Sequence, residues 1–250
     1  MASVASLSRD PKIGLMRFKF WKDRIDSIYK QPDLKLIGEP ITSELVISIK
    51  KHNLSKSWFN RLIEARETQL SAKKTYQTVK DVEQHGENTV SPIYYLLLEC
   101  LKMKNVNCDH AASHLGKSHM IANLVRSIPN QSRANISLIP LELLVKHKIS
   151  QNEIIRLTNP ERQEKKIVNE NLKYLVYDLC NLSNQHLMKA RKLNKQIPSN
   201  VNILFLNSVV IESFLKNIEK YNFDINNPVL HKRDSLLPIK LFLAKFKNRY

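Results

Sequence analysis

Apolar residues recur at helical spacing along nearly the whole chain, and the strict alternation of a half-buried strand does not replace it anywhere. Lys12 to Lys30 reads as an amphipathic helix with Ile13, Met16, Phe20, Ile25 and Ile28 inward and Lys22, Asp23 and Arg24 outward, closed by Pro32. Pro40 to Lys51 is a second helix, with Pro40 near its first turn and Leu45, Val46 and Ile49 inward. Ser55 then caps a third through Leu70, with Trp58, Phe59, Leu62 and Ile63 facing inward. Thr75 to Leu101 reads as one long helix, with an interruption expected at Gly86 and a bend at Pro92.

The stretch from His110 to Pro140 should supply the central helix. It opens with the small residues Ala111, Ala112, Ser113 and Gly116, which let two helices approach closely. Leu115, Met120, Ile121, Leu124, Val125 and Ile128 follow near helical spacing, and Pro129 is expected to end or kink the helix before an extended ISLIP segment. LELLVKHKIS and QNEIIRL read as two short helices, with Ser150 as a cap. Lys165 to Lys195 reads as a long one carrying Ile167, Leu172, Leu175, Val176, Leu179, Leu182 and Leu187. Pro198 starts another helix containing VNILFLNSVVIESFLKNIEK, and a last one begins near Leu236 and ends in KFKNRY. With no hairpin signal, repeat or low-complexity segment, the class is all-α, and 250 residues suffice for a single domain over 1–250 around one large core.

Composition narrows the chemistry. Four glycines, Gly14, Gly38, Gly86 and Gly116, stand too far apart for a phosphate-cradling loop or a dinucleotide fingerprint. Forty Lys and Arg against twenty-three Asp and Glu give a net charge of +17, which raises a polyanion partner: nucleic acid, an anionic membrane surface, or simply a solvated basic face. Without a recognition motif of stacking aromatics, nucleic acid is not expected. The basic surfaces to suspect are Lys73 with Lys74, Lys165 with Lys166, Lys189 to Lys195, and Lys245 to Arg249. Cys100, Cys108 and Cys180 have no close paired spacing and suggest a reducing compartment and apolar packing. The longest apolar runs fall far short of the ~20 residues of a spanning helix. MASVASLSRDPK lacks the Arg-rich amphipathic character of a transit peptide.

Cys108, Asp109, His110, His114 and His119 invite a metal reading, since His110 and His114 lie four apart on one helical face. His119, however, falls roughly 180° from His110 at ~100° per residue. Capping by Asp109, with packed or solvated histidines, is the preferred reading, so neither a metal nor a cofactor site is expected.

Set without gaps, His110 to Pro140 resembles the second signature of the squalene and phytoene synthase family, roughly L-G-x-A-x-Q-x-x-N-I-L-R-D-V-x-E-D-x-x-R-G-R-I-Y-L-P. Leu115, Gly116, Asn123, Arg126 and Pro140 agree with it. The two metal-binding Asp positions of that pattern are Ser127 and Gln131 here, and Asn130 replaces the intervening Glu. Neutral side chains are poor Mg²⁺ ligands, so the resemblance implies a member without catalytic residues. It also implies an isoprenoid-synthase-type helical bundle around a central cavity, here without the N-terminal helix that carries the family's first carboxylate motif. The stretch His85 to Asn88 stands where active members keep small cavity-lining residues, which predicts a narrower or more polar cavity.

IGLMRFKFWKDRIDSIY, HAASHLGK and FDINNPVLHKRDSLLPIKLFL extend the resemblance nearly end to end and narrow it to a mitochondrial branch of the family. That branch implies early assembly of respiratory complex I, with complex I subunits or assembly intermediates as partners, on the matrix side of the inner membrane and peripheral to it. Anionic lipid of that membrane, and an isoprenoid or quinone in the cavity, are further candidate partners. The alternatives are a Mg²⁺-dependent prenyltransferase and an isoprenoid-binding protein. Against the first, Asp23 with Asp26 and Asp81 with Glu83 do not reproduce the i, i+4 carboxylate spacing.

Overall fold

The computed structural model describes residues 11–31, 40–72, 75–159 and 169–250, and every regular element among them is a helix. They are α1 (Pro11–Lys30), α2 (Pro40–His52), α3 (Lys56–Ala72), α4 (Val79–Thr89), α5 (Ser91–Cys100), α6 (Val106–Arg133), α7 (Leu141–Lys146), α8 (Gln151–Thr158), α9 (Glu170–Lys192), α10 (Asn207–Lys220) and α11 (Leu237–Phe246), joined in part by 3₁₀ turns. The all-α expectation holds.

The bundle is built around α6, whose 28 residues run about 42 Å. It packs chiefly against α9 and α4, with α5, α8 and α10 completing the ring. Small residues let α9 lie close: Ser118 and Ser183 are both fully buried, and each hydroxyl donates to the other's carbonyl, at 2.8 and 2.9 Å. The main core gathers Leu115, Ile121 and Ile128 of α6 with Leu175, Leu179 and Leu187 of α9. A second cluster, Phe18, Ile25, Ile28, Ile49, Phe59 and Ile63, joins α1, α2 and α3.

The termini of these helices correct several expectations. Thr75 to Leu101 is two helices: α4 runs through Gly86 uninterrupted and ends at Thr89, and Pro92 sits in the first turn of α5. A proline at 92 cannot continue the α4 ladder, because it lacks the N–H and its ring collides with the carbonyl four residues back. Conversely, α6 passes through Pro129 to Arg133. A proline inside a helix costs about 3 kcal/mol, which the buried turns on both sides of it offset. Asn105, not Asp109, caps α6, its carboxamide oxygen accepting from Asn107 N at 2.8 Å. Ser55 does not cap α3; its hydroxyl donates to Glu99 at 2.5 Å, beside Trp58 Nε1, which donates to the same oxygen at 3.0 Å. The segment after Pro198 is a 3₁₀ helix, Ser199–Phe205, meeting α10 at a 48° bend. The start predicted for α9 lies outside the described residues.

In α1 the inward face differs from expectation. Phe18, Ile25 and Ile28 are buried, but Ile13, Met16 and Phe20 are exposed. The stripe against α3 is Gly14, Phe18, Trp21, Ile25 and Ile28, and the absent side chain of Gly14 makes room for Leu70.

Among the described residues no single helix is long and apolar enough to cross a membrane. One bent pair, Ser199–Phe205 with Asn207–Lys220, passes by length and composition. Val201, Phe205, Ile211 and Ile218 of that pair are core residues.

Candidate functional site

The C-terminal half of α6 forms one wall of a cavity of about 1180 Å³. Asn123, Arg126, Ser127, Asn130 and Arg133 face it from α6; Val210, Phe214 and Asn217 face it from α10. The segment from Pro228 to Leu241 closes the remaining side with Leu230, Lys232, Arg233, Asp234, Leu237 and Leu241. The C-terminal part of the stretch His110 to Pro140 and the stretch Phe223 to Leu243 thus converge here, while Ile13 to Tyr29 lies in α1, in the other cluster.

Of the two positions where the family pattern has metal-binding carboxylates, only Ser127 lines the cavity. Its hydroxyl donates to Leu124 O at 2.9 Å and accepts from Gln131 Nε2 at 2.6 Å. Gln131 is buried, and its Oε1 accepts from Leu138 N at 2.8 Å, fastening the turn that follows α6. Both side chains are consumed by local hydrogen bonds. Below them, the Ser132 and Thr158 hydroxyls meet at 2.5 Å, and Asn159 Nδ2 donates to Ser132 O.

The electrostatics of the wall run against a divalent cation. Arg126, Arg133, Lys232 and Arg233 face one carboxylate, Asp234. That carboxyl is held at about 2, well below its ordinary value, by hydrogen bonds from Lys240 and Ser213 at 2.7 Å each, so it is already committed. Hard cations need several oxygen ligands with negative charge, and this set offers neutral amides and guanidinium groups. Arg126 donates to Asn123 Oδ1 at 2.7 Å, which fixes it along the wall. Such a surface suits an anionic or strongly polar head with an apolar body lying on Phe214, Leu237 and Leu241.

The residues of the metal reading are carried to separate places. Cys108 is fully buried in the core, with its thiol pushed up by burial. His119 pairs with Asn207 Nδ2 at 2.8 Å, and Asp109 and His110 are exposed. His114 reaches α9 instead, its Nδ1 lying 2.9 Å from His186 Nδ1, while His186 Nε2 lies 3.0 Å from Glu83 of α4. Burial first, and then the neighbouring His186 and lysines, push His114 down to about 4.

One polar cluster escaped the sequence reading. Glu87, in the stretch expected to narrow the cavity, accepts from Tyr95 at 2.8 Å, Ser113 at 2.6 Å and Ser91 at 3.3 Å, with Lys117 and Arg61 at 3.7 and 3.9 Å. It stitches α4, α5 and α6 together where active members keep small residues. No local pattern announces it, because its partners come from three helices. Lys232 and Arg233 were also missed as cavity residues, although the run HKRD marked them as charged. Of the suspected basic surfaces, Lys73, Lys74, Lys165 and Lys166 lie outside the described residues, and Arg191 is paired with Glu212 at 2.7 Å.

Comparison with known proteins gives one consistent answer. Residues 1–239 match the family model for squalene/phytoene synthase. The chain is 34% identical over 251 residues to "NADH dehydrogenase (ubiquinone) complex I, assembly factor 6" of Homo sapiens and of Mus musculus, covering all of this chain and 71% of each relative. It is 35% identical to the Drosophila melanogaster homolog, covering 99% of this chain and 72% of that one. Among solved structures, the squalene synthase HpnC from Alicyclobacillus acidocaldarius superposes with a TM-score of 0.69 at 16% identity, over 88% of both chains. A dehydrosqualene synthase in complex with ligand gives 0.68 at 12%, over 98% of this chain and 89% of the other. These two share the isoprenoid-synthase-type fold.

Proposed function

The chain belongs to the squalene/phytoene synthase family, and from that membership we propose that it is a non-catalytic member that assists the assembly of mitochondrial respiratory complex I. The observation that carries the non-catalytic half is the pairing of Gln131 with Ser127 and Leu138 N where the family pattern has metal-binding carboxylates. Ionising an allylic diphosphate needs its departing charge neutralised by divalent cations, and a wall with four cations and one committed carboxylate repels them. The assembly half is supported by the relatives, which carry that role in their names over the full length of this chain.

Its partners on this reading are complex I subunits or assembly intermediates, and its place is the matrix side of the mitochondrial inner membrane, attached peripherally. The +17 charge suits a surface of anionic lipid. The cavity, with polar and basic groups at one side and Phe214, Leu237 and Leu241 at the other, has the volume for an isoprenoid or quinone held without chemistry.

Two experiments test the halves separately. Cells lacking the chain should accumulate less fully assembled complex I on native gels, with recovery on re-expression; undiminished complex I overturns the assembly role. Purified chain given farnesyl or geranylgeranyl diphosphate and Mg²⁺ should release no diphosphate. Turnover abolished by a chelator would overturn the non-catalytic role.

A further inference from the structure

The helix α11 has two apolar sides. At ~100° per residue, Leu237, Leu241 and Ala244 fall on one side and Ile239, Phe242, Leu243 and Phe246 on the other. The first side rests on α10, and Leu237 and Leu241 line the cavity. The second points away from the bundle: its exposures run from 45% at Leu243 to 79% at Phe246, and the Phe242 and Phe246 rings stack in parallel with centroids 6.5 Å apart. An isolated exposed leucine needs no explanation, but four large apolar residues in one stripe do.

Charge identifies the occupant. Residues 235–250 hold Lys240, Lys245, Lys247 and Arg249 and not one Asp or Glu. In helical projection, Lys247 lies on one flank of the outer stripe and Lys245 on the other, while Lys240, on the Lys247 side, is bound to Asp234 and Ser213. An apolar stripe flanked by lysines on both sides is the arrangement of a helix lying in the interface of an anionic bilayer, rings at acyl depth and ammonium groups among phosphates. A protein partner of mixed charge would leave the uniformly basic flanks unmatched.

The helix is also mounted rigidly. At its start Asp234 accepts from Lys240 and from Ser213 of α10, both at 2.7 Å. Beyond its end Asn202 Nδ2 donates to Asn248 O at 2.9 Å, and the buried Tyr250 donates to Ala190 O of α9 at 3.1 Å. Its outer stripe is therefore presented outward without a tail having to fold first, which lowers the ordering cost of docking.

We propose that the outer face of α11 is the membrane-docking surface of this protein and that its partner is a bilayer rich in anionic lipid. The inference rests on the peripheral attachment proposed above and adds the element responsible for it. The test uses the full chain and vesicles of phosphatidylcholine with or without about one third cardiolipin. Phe246→Trp should show a blue-shifted emission on adding the acidic vesicles and none with the neutral ones, the signals of Trp21 and Trp58 being subtracted from the parent chain. Phe242→Ser with Phe246→Ser should weaken vesicle binding at least ~10-fold with an unchanged melting temperature. Lys245→Gln with Lys247→Gln should weaken it less and flatten its salt dependence. If the parent binds acidic vesicles and the double serine variant binds equally well, the α11 assignment fails while peripheral attachment stands. If neither binds, the α11 assignment fails and so does attachment through lipid. Dimerisation of the parent chain that the serine variant abolishes, without vesicle binding, would reassign the face to a second copy and overturn the proposal.

Discussion

A methyl group added at each of three helical glycines separates packing from helix propensity. At Gly116 in α6, a Cβ would fall against Ser91 Oγ and lie 2.8 Å from Ser91 N and 3.0 Å from its Cα. Those backbone atoms cannot turn aside, so α5 must move away from α6. Replacing glycine by alanine inside a helix gains about 1 kcal/mol from propensity, and overpacking costs about 1–3 kcal/mol. With backbone as the obstacle the upper end applies, leaving Gly116→Ala about 2 kcal/mol less stable, a fall of roughly 4–8 °C for a domain this size. At Gly14 the obstacle is Leu70 Cδ2, the end of a flexible side chain, with the next atom 3.7 Å away. Gly14→Ala should be neutral or raise the melting temperature by up to ~4 °C. Gly86→Ala falls between, meeting Met120 Cβ at 2.9 Å and Lys117 Cα at 3.1 Å. Thermal melts followed by circular dichroism, with urea midpoints as a check, should rank the variants 14, 86, 116 from most to least stable. An unchanged or raised melting temperature for Gly116→Ala would refute the close approach of α5 and α6.

Other outcomes follow from the same geometry. Ser127→Asp with Gln131→Asp should not restore diphosphate release from farnesyl diphosphate and Mg²⁺, since Arg126, Arg133, Lys232 and Arg233 still line the cavity; Mg²⁺-dependent release measured by a phosphate-coupled assay would contradict this. Glu87→Ala should cost about 3 kcal/mol by leaving the Tyr95 and Ser113 hydroxyls without their charged acceptor, read as a lower urea midpoint; a loss under about 1 kcal/mol would show that water replaces it. Stability should fall as pH drops from 6.5 toward about 4, because His85 and His114 sit at about 4 in the fold, mainly through burial, against 6.5 when unfolded. The unfolded chain takes up those protons first, so the stability is whole above 6.5 and lost on the way down, by at most about 3 kcal/mol for His85 and less for the partly solvated His114. His85→Leu should flatten that slope, and an unchanged slope would assign it to other groups.

The helical class and the place of α6 were legible because periodicity and small residues act locally: Ala111, Ala112 and Gly116 are all fully packed against neighbours. Where the reading failed, interior status depended on a partner. In α1, Gly14 contributes to the buried stripe by having no side chain, and a hydrophobicity pattern does not register it; such a pattern passes through Ile13, Met16 and Phe20, which are exposed, as well as Ile25 and Ile28, which are buried. The run over Thr75 to Leu101 keeps helical periodicity across two helices; Pro92 signals a bend in the sequence, but that α4 ends at Thr89 and a new helix starts at Ser91 is set by the backbone at Val90. At the site, Ser127 and Gln131 could be placed by the family pattern, whereas Lys232 and Arg233, which share the cavity with Ser127, come from more than a hundred positions later and reach it through the fold.

The amide of Gln131 works as a one-way fastener. Its nitrogen donates to Ser127 while its oxygen takes the Leu138 amide, so one neutral side chain ties the end of α6 to the turn beyond it. An aspartate at 131 has no donor for Ser127 and a shorter reach toward Leu138, and it would bring a charge into a site that is almost closed to water. An aspartate at 127 alone would face the amide nitrogen but surrender the bond to Leu124 O. Each single substitution toward the family's carboxylates thus gives up one hydrogen bond that the neutral pair makes, Ser127 to Leu124 O in one case and Gln131 to Ser127 in the other.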